Sequence, residues 1–351
     1  MSFKGSMKEN FRIQLSAWYN THGRTLPWRE NHHAYLIWLS EIILQQTRVE
    51  QGLPYFHSFK NRFPTVFDLA EADEDEILKL WQGLGYYSRA RNLHKAAKQV
   101  VEHHGGQFPA NYKELLLLQG IGPYTAAAIA SIAFNLPEAV VDGNVVRVIS
   151  RLFAITDSVD ESTTKKEIAA KAYELLDKLN PGNHNQAMMD FGAMICTPKQ
   201  PKCNACPVSQ HCVALAVNKV HVVPFKTQKT KKRDRFFHFL VAQDSSLLLI
   251  EKRDEADIWA GLYQFPLVET TQNLELDLSS IEARLQVSNI KLNAVRSMPK
   301  HILSHQTIYA RFYAVEANLA NVSEFLKIKP SELHTFAVPR LIDRYLEKHS
   351  I

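Results

Sequence analysis

The sequence predicts two domains, an all-α domain followed by a mixed α/β (α+β) domain. Apolar residues recur at helical spacing from residue 8 to about 217, and few segments there alternate. Beyond a basic stretch the period becomes two, as in strands. At roughly 100–200 residues per domain, a chain of 351 residues also fits two domains. We therefore expect a helical domain at 1–217, a linker at 218–235 and a second domain at 236–351.

The helices of the first domain are expected in six segments. Ala34–Leu44 is too long and too evenly apolar for a strand, and we extend this helix into Gln45, Gln46 and Thr47. The other five segments are 68–80, 90–103, 124–134, 165–179 and 185–195. Turns that contain Pro or Gly separate several of them.

The second domain follows a run rich in lysine and arginine. Residues 226–235 hold six basic side chains against one acidic, Asp234, which predicts a solvated linker. Alternation at 237–241, a polar turn and then 247–250 predict a β-hairpin. Residues 307–315 alternate again. The side chains expected on one face of that strand are Ile308, Ala310, Phe312 and Ala314.

Composition and charge exclude several classes of protein. With 46% hydrophobic and 22% charged residues, the chain is neither disordered nor fibrous. No run approaches the roughly 18 uncharged apolar residues of a membrane span. Residues 1–6 lack the apolar centre of a signal peptide, so we expect a cytoplasmic protein without a membrane partner. A net charge of +5 permits an anionic partner without requiring one.

All four cysteines lie close together in the sequence, which favours a metal or cluster site over a disulfide scaffold. Four thiolates can hold either zinc or a [4Fe-4S] cluster, and the spacing does not decide between them. Three nearby prolines indicate a stiff loop that a bound metal would order. The candidate ligands are Cys196, Cys203, Cys206 and Cys212.

Two glycines, Gly120 and Gly122, flank Ile121 between two apolar segments. They predict a tight turn between helices that leaves backbone N–H groups bare at a helix N-terminus, where a phosphate oxygen of DNA can bind. An ordinary αα-hairpin is the alternative, and this motif alone does not exclude it.

Two carboxylates stand in unusual settings. Glu41 interrupts an apolar helix, and Asp142 follows an apolar run and precedes Gly143. A buried carboxyl group has a raised pKa and can hold a proton, whereas one bound by backbone amides stays ionised. Cleavage of a glycosidic bond needs such a pair. A solvated helix face for Glu41 and a helix N-cap for Asp142 are the alternatives.

The segment 81–91 interleaves aromatic and basic residues. An aromatic side chain beside arginines can enter a base step of DNA and hold it open. The alternative is a set of core aromatics beneath a solvated basic face.

Together these motifs resemble the helix-hairpin-helix, Gly/Pro-Asp superfamily of DNA glycosylases, and within it the MutY-type adenine glycosylases. The matching segments cover nearly the whole chain and are 26–29, 38–48, 83–94, 141–145, 185–190 and the cysteine loop. The resemblance implies an all-α helix-hairpin-helix glycosylase domain with an iron–sulfur loop, followed by a Nudix-like domain. It also implies that the four cysteines hold a [4Fe-4S] cluster.

The resemblance further implies a role for each candidate residue. Glu41 would protonate N7 of adenine, and Asp142 would stabilise or trap the cation at C1′, supported by Tyr124 and Asn144. The pocket for the extruded adenine would be lined by Trp28, Arg29, Leu44 and Gln186. Two side chains would fill or wedge the DNA double helix, Gln46 and Tyr86. Thr47 and Leu84 would lie beside the base opposite the extruded adenine. The DNA backbone would meet Gly120, Gly122, Lys199 and Lys202.

Position 124 bears on the reaction type. Related bifunctional enzymes carry a lysine there, and Tyr124 cannot form a Schiff base, so we expect base removal without efficient strand cleavage. Two alternatives stay open: a bifunctional glycosylase/lyase acting on oxidised pyrimidines, and a non-catalytic, cluster-bearing protein that binds lesions.

The C-terminal half resembles the Nudix-like domain of the same enzymes, most clearly at 259–266. It has no glutamate-rich Nudix box, so nucleotide hydrolysis is not expected. The resemblance implies recognition of 8-oxoguanine through Ser304 and His305. Leu303 stands where a phenylalanine is usual and Gln119 where a proline is usual. The expected partner is double-stranded DNA with 8-oxoguanine:A or G:A mispairs, bound by a monomer at the nucleoid of a bacterial-type cell.

Overall fold

The computed structural model describes residues 5–227, 232–254 and 256–349. The chain forms two compact units. The first comprises Met1–Glu71 and Lys95–Gln228, and the second comprises Ala72–His94 and Lys229–Ile351. The expected domains are continuous along the chain, whereas these units are not, because Ala72–His94 shares its contacts with the sheet.

Helices form nearly all of the regular structure before residue 217. In chain order they are α1 (Gly5–His22), α2 (Ala34–Leu44), α3 (Val49–Arg62), α4 (Val66–Glu71), α5 (Glu74–Leu80), α6 (Ser88–His104), α7 (Tyr112–Leu115), α8 (Pro123–Phe134), α9 (Gly143–Phe153), α10 (Ser162–Leu175), α11 (Pro181–Met194) and α12 (Val213–Ala216). The helical character expected for this half is confirmed. No helix in the described part of the chain is long and apolar enough to cross a bilayer.

Four of the six expected helical segments have wrong bounds, and one of them is α11, which begins at Pro181 and not at residue 185. The helix α2 ends at Leu44 because Gln46 has a φ of 58°, which a right-handed helix does not allow. The segment 68–80 is two helices, α4 and α5, separated by the extended residue Asp73. The helix α10 ends at Leu175, since the backbone of Leu176 is extended.

The core of the first unit forms around α2 and α8, which pack against each other. Nine of the eleven residues of α2 are buried, and so are eight residues of α8. Alanines at 126–128 and at Ala130 allow the backbones to approach closely. Buried helices of this kind give a rigid support for side chains placed near their ends.

The second unit is built on an eight-stranded sheet. Its strands are β1 (Arg233–Gln243), β2 (Leu248–Lys252), β3 (Tyr263–Gln264), β4 (Leu267–Thr270), β5 (Lys291–Ser297), β6 (His301–Ile302), β7 (Gln306–Glu316) and β8 (Leu326–Ile328). The central path is β3-β2-β1-β7-β5, with β1 and β7 parallel over their full length. Two helices, α13 (Leu278–Leu285) and α14 (Arg340–Leu346), lie in the C-terminal part of this unit, and its segment Ala72–His94 adds α5 and the first residues of α6.

Both faces of this sheet carry apolar clusters. Ile308, Ala310 and Phe312 of β7 belong to one cluster, and Tyr313 belongs to the other. The expected hairpin is confirmed, since β1 and β2 are antiparallel with Gln243 opposite Leu248.

The basic run at 226–235 is not a solvated linker throughout. Arg233 begins β1, and the side chain of Arg235 is buried, because two carboxylates pair with it. The lysines at 229 and 231 lie outside the described residues.

Candidate active site

Glu41 lies near the C-terminal end of α2 and is 6% exposed. Burial raises the pKa of Glu41 to about 7, and the nearby Asp142 raises it too. Tyr124 donates a hydrogen bond from its hydroxyl to Oε2 of Glu41, which acts in the opposite direction. The carboxyl group is therefore poised to hold a proton near neutral pH, as an acid catalyst must.

Asp142 is the N-cap of α9 and its carboxylate is fixed from two sides. Oδ1 accepts a hydrogen bond from the backbone N–H of Val145 at 2.7 Å, and Oδ2 accepts one from Nδ2 of Asn144 at 2.7 Å. Burial raises the pKa of Asp142 above its ordinary value, and these hydrogen bonds and the charge of Arg147 offset only part of that effect. The N-cap that the sequence offered as an alternative is thus present, in the same cavity as Glu41.

Tyr124 is the second residue of α8 and follows Pro123 in the partly exposed first turn of this helix. Burial raises the pKa of its phenol well above the ordinary value, and the charge of Glu41 raises it further. The phenol therefore keeps its proton and serves as a donor to Glu41.

A cavity of about 550 Å³, which we call the catalytic cavity, joins these groups. Its volume lies within the range of small-molecule sites, roughly 300–1,000 Å³. The predicted residues that line it are Trp28, Arg29, Glu41, Leu44, Thr47, Tyr124, Asp142 and Asn144.

Gln186 is placed differently from these residues. It is buried on α11 and is not part of the cavity lining. It lies three and seven residues before Met189 and Ala193, which do line the cavity, so it shares their face of the helix. Its Oε1 has no hydrogen-bond partner among the described residues.

Sequence reasoning missed Asp190, the anion that holds Arg29. The Arg29 guanidinium donates to both carboxylate oxygens of Asp190, at 2.8 and 3.0 Å, and Arg24 binds the same carboxylate. Burial raises the pKa of Asp190, but these hydrogen bonds outweigh it and leave the pKa below its ordinary value. A buried arginine requires a counter-ion, but the sequence alone shows neither the burial of Arg29 nor which carboxylate lies beside it.

The two predicted wedge residues both have left-handed backbone conformations. Gln46, in the first unit, is exposed with a φ of 58°. Tyr86, in the second unit, has a φ of 48° and is 48% exposed. Such backbone strain is concentrated at functional sites, so these loops are candidates for contact with a ligand.

Within the second unit, Tyr86 meets the predicted recognition residues. Its hydroxyl lies 2.6 Å from Oγ of Ser304. Leu84, Tyr86, Ser304 and His305 line one cavity of about 540 Å³. Leu303 is half-buried, packs against the apolar core of the sheet and also lines this cavity, so leucine in place of phenylalanine changes a contact at the cavity wall.

The glycine motif forms the turn between α7 and α8. Gly120 has a φ of 75°, and Gly122 is the N-cap of α8. A Cβ at Gly122 would meet no atom within 4 Å, so the space beside this backbone is open. Gln119 donates its backbone N–H to Gln99 at 2.7 Å, a bond that the usual proline could not make.

The four cysteines line one small cavity in the first unit. Burial raises the pKa of Cys206 to about 12, and the charges of the other three cysteines add to this effect. Across residues 5–227, 232–254 and 256–349, no three His, Cys, Asp or Glu side chains are arranged to hold a single metal ion. Lys199 and Lys202 are exposed on this loop, and Pro198 lines the catalytic cavity.

Family models match both halves of the chain. Residues 39–178 match the model described as "HhH-GPD superfamily base excision DNA repair protein", and residues 237–348 match the NUDIX domain model. These matches confirm the expected fold classes.

Curated relatives extend the similarity over the full chain. The adenine DNA glycosylase of Buchnera aphidicola subsp. Schizaphis graminum is 34% identical over 347 residues, which cover 94% of this chain and 96% of that protein. The adenine DNA glycosylase of Homo sapiens is 44% identical over 213 residues, 58% of this chain and 39% of that protein. A solved thermostable thymine-DNA glycosylase is 30% identical with a TM-score of 0.55, and covers 60% of this chain and 98% of that one.

Proposed function

Because the chain belongs to the family of adenine DNA glycosylases, we propose that it hydrolyses the N-glycosidic bond of adenine mispaired with 8-oxoguanine or guanine in double-stranded DNA. The observation that carries this proposal is the catalytic cavity, where the two carboxyl groups Glu41 and Asp142 are held in different ways. Extrusion of a base into such a cavity costs a few kcal/mol and is easiest at a mispair.

In this proposal Glu41 supplies the proton that the departing adenine takes up at N7. Its raised pKa keeps that proton available near neutral pH. As the bond between N9 and C1′ breaks, positive charge develops on the sugar. Asp142, fixed by Val145 and Asn144, provides the facing negative charge. Water then adds to C1′ and loses a proton, which restores the acid form of Glu41, and the product is an abasic site.

We also propose that the enzyme is monofunctional. Strand cleavage by a glycosylase/lyase needs an amine that forms a Schiff base with the sugar. Among the described residues, no lysine lines the catalytic cavity, and Tyr124 uses its hydroxyl to bind Glu41. An abasic product that stays intact until alkali is added is therefore expected.

The test is adenine release from 8-oxoguanine:A and G:A duplexes, measured with and without alkali. Glu41→Gln should abolish release while duplex binding is retained, because the amide keeps the shape but cannot donate the proton. Glu102→Gln, the same change at an exposed site on α6, is the matched control. Release by Glu41→Gln at the wild-type rate would disprove the catalytic assignment, and strand cleavage without alkali would disprove the monofunctional one.

We further propose that Cys196, Cys203, Cys206 and Cys212 hold a [4Fe-4S] cluster. All four line one cavity, and their arrangement does not suit one ion. Four thiolates that each bind a different iron of a cluster suit it better. When bound, the cluster would order the loop that carries Lys199 and Lys202. Iron and acid-labile sulfide near four of each per chain are expected, whereas one zinc per chain would contradict this proposal.

A further inference from the structure

Ser304 and His305 lie in the turn at residues 303–305, which connects β6 and β7 in a hairpin. The N–H of Leu303 donates to the carbonyl oxygen of Gln306 at 2.8 Å, which closes this loop. The carbonyl oxygen of His305 accepts the N–H of Arg233 in β1 at 2.9 Å. The backbone of the turn is therefore anchored both to its own hairpin and to the neighbouring strand.

Gln306 adds a side-chain anchor at the base of this turn. Its Oε1 accepts a hydrogen bond from Nη1 of Arg235 at 3.1 Å. The remaining four N–H groups of Arg235 bind two carboxylates. Asp257 receives two of them, at 2.7 and 2.7 Å, and Glu269 receives the other two, at 2.7 and 2.6 Å. All five guanidinium donors are thus used.

This arrangement fixes the direction of the bond to Gln306. The side chain of Arg235 is 7% exposed, and its planar guanidinium is held by four charge-assisted hydrogen bonds. Asp257 also pairs with Arg253, so two arginines balance two carboxylates. The other four hydrogen bonds therefore fix the direction of the fifth N–H, which donates to Gln306, and a lysine could not reproduce this geometry.

We propose that Gln306, aligned by Arg235, is a positioning residue that fixes the Ser304–His305 turn and so sets the preference for 8-oxoguanine over guanine opposite adenine. This inference rests on the function proposed above. The two bases differ only at N7 and C8, so discrimination depends on accurate placement of the recognising groups. The 2.6 Å contact between Ser304 and Tyr86 is one such placement within the same unit.

The experiment compares the single-turnover rates of adenine release from 8-oxoguanine:A and G:A duplexes, using the full chain. Gln306→Met keeps the side-chain length but removes the acceptor, and Gln306→Glu keeps the acceptor. The matched control is Gln243→Met. Gln243 is also half-buried and lies at the C-terminal end of β1, whereas Gln306 of β7 pairs with the N-terminal end of β1. Thermal unfolding shows that each variant is folded. Should Gln306→Met fail to fold, Gln306→Asn takes its place, because its side chain is one methylene shorter and moves the acceptor away from Arg235.

We expect Gln306→Met to lower the ratio of the two rates by roughly tenfold, mainly through the 8-oxoguanine duplex, as fits the loss of one charge-assisted hydrogen bond. Gln306→Glu and Gln243→Met should keep the wild-type ratio. Suppose that the wild type prefers 8-oxoguanine and that Gln306→Met keeps this preference or slows release from both duplexes equally. The positioning role is then overturned, and the proposed function is not. A wild type without any preference overturns both this role and the proposed mismatch specificity.

Discussion

At the scale of single residues, the two carboxyl groups of the catalytic cavity differ in what surrounds them. Glu41 belongs to a buried helix and has one hydrogen-bond donor, Tyr124, so burial controls its pKa. Asp142 is at a helix start and accepts from Val145 and Asn144, which oppose the effect of burial. One cavity can therefore hold an acid and an anion together, because each of the two carboxyl groups supplies one of these roles.

The hydrogen bond from Tyr124 predicts a change in the pH profile. It stabilises ionised Glu41, so Tyr124→Phe should raise the pKa of Glu41 above about 7. An acid catalyst with a higher pKa stays protonated to higher pH. The alkaline limb of the single-turnover rate should then move up by about one pH unit. The rate of adenine release across a pH series measures this.

The position of the limb is the informative quantity, because a change in its height has other causes. The wild type run in the same buffers is the reference. An alkaline limb that stays in place, or moves to lower pH, would show that Tyr124 does not tune Glu41.

Residue patterns in the sequence singled out Glu41 and Asp142, with a solvated helix face and a helix N-cap as the alternatives, and did not single out Asp190 or Arg235. The first two stand out against apolar neighbours. Asp190 and Arg235 gain their roles from partners 161 and 22 residues away, at Arg29 and Asp257. A distant ion pair leaves no local period, so a single sequence does not reveal it.

At the scale of elements, the turn between α7 and α8 offers a direct test of backbone contact with DNA. Gly122 has an ordinary φ and open space at its Cβ position, so Gly122→Ala should fold normally. If a phosphate approaches this backbone, the added methyl group would obstruct it. We expect duplex affinity to fall several-fold, a loss of about 1 kcal/mol, with the melting temperature unchanged. Fluorescence anisotropy with labelled duplex measures the affinity.

The matched control is Gly5→Ala in α1, where a Cβ also meets nothing within 4 Å. It should leave both affinity and melting temperature unchanged. Full duplex affinity in Gly122→Ala would argue against phosphate binding at this turn.

Element prediction succeeded where the apolar period was long and failed at bounds. The ends of α2 and α10 depend on one or two backbone conformations, such as the positive φ of Gln46. The helix α9 was missed altogether, although its buried residues Val145, Val148, Ile149 and Leu152 have helical spacing. A helix N-cap at Asp142 was expected only as the alternative to a catalytic role, and in the structure Asp142 is the N-cap of this helix.

At the scale of the whole molecule, exposed basic residues on the cysteine loop predict how DNA affinity depends on salt. Each phosphate neutralised adds about 0.9 to the slope of log affinity against log salt. Lys199→Ala with Lys202→Ala should therefore reduce the slope by up to about two. Binding titrations at several salt concentrations measure it.

The control for this double variant is Lys329→Ala with Lys348→Ala, which removes the same charge from exposed sites on the second unit. It should leave the slope unchanged. An equal reduction in both double variants would indicate a general effect of net charge, and the cysteine loop would then lose its special role.

The discontinuous second unit has a consequence for any attempt to divide the chain. The segment Ala72–His94 is bound to the sheet by Asp75, which contacts Lys252 and Tyr263, and to α14 by Gln82, which contacts Asp343. A fragment truncated ahead of β1 would retain this segment and discard its binding partners. Amide hydrogens at 72–94 would then exchange faster than in the intact chain. Low activity in such a fragment would have two causes, the altered loop around Tyr86 and the loss of the turn that carries Ser304 and His305.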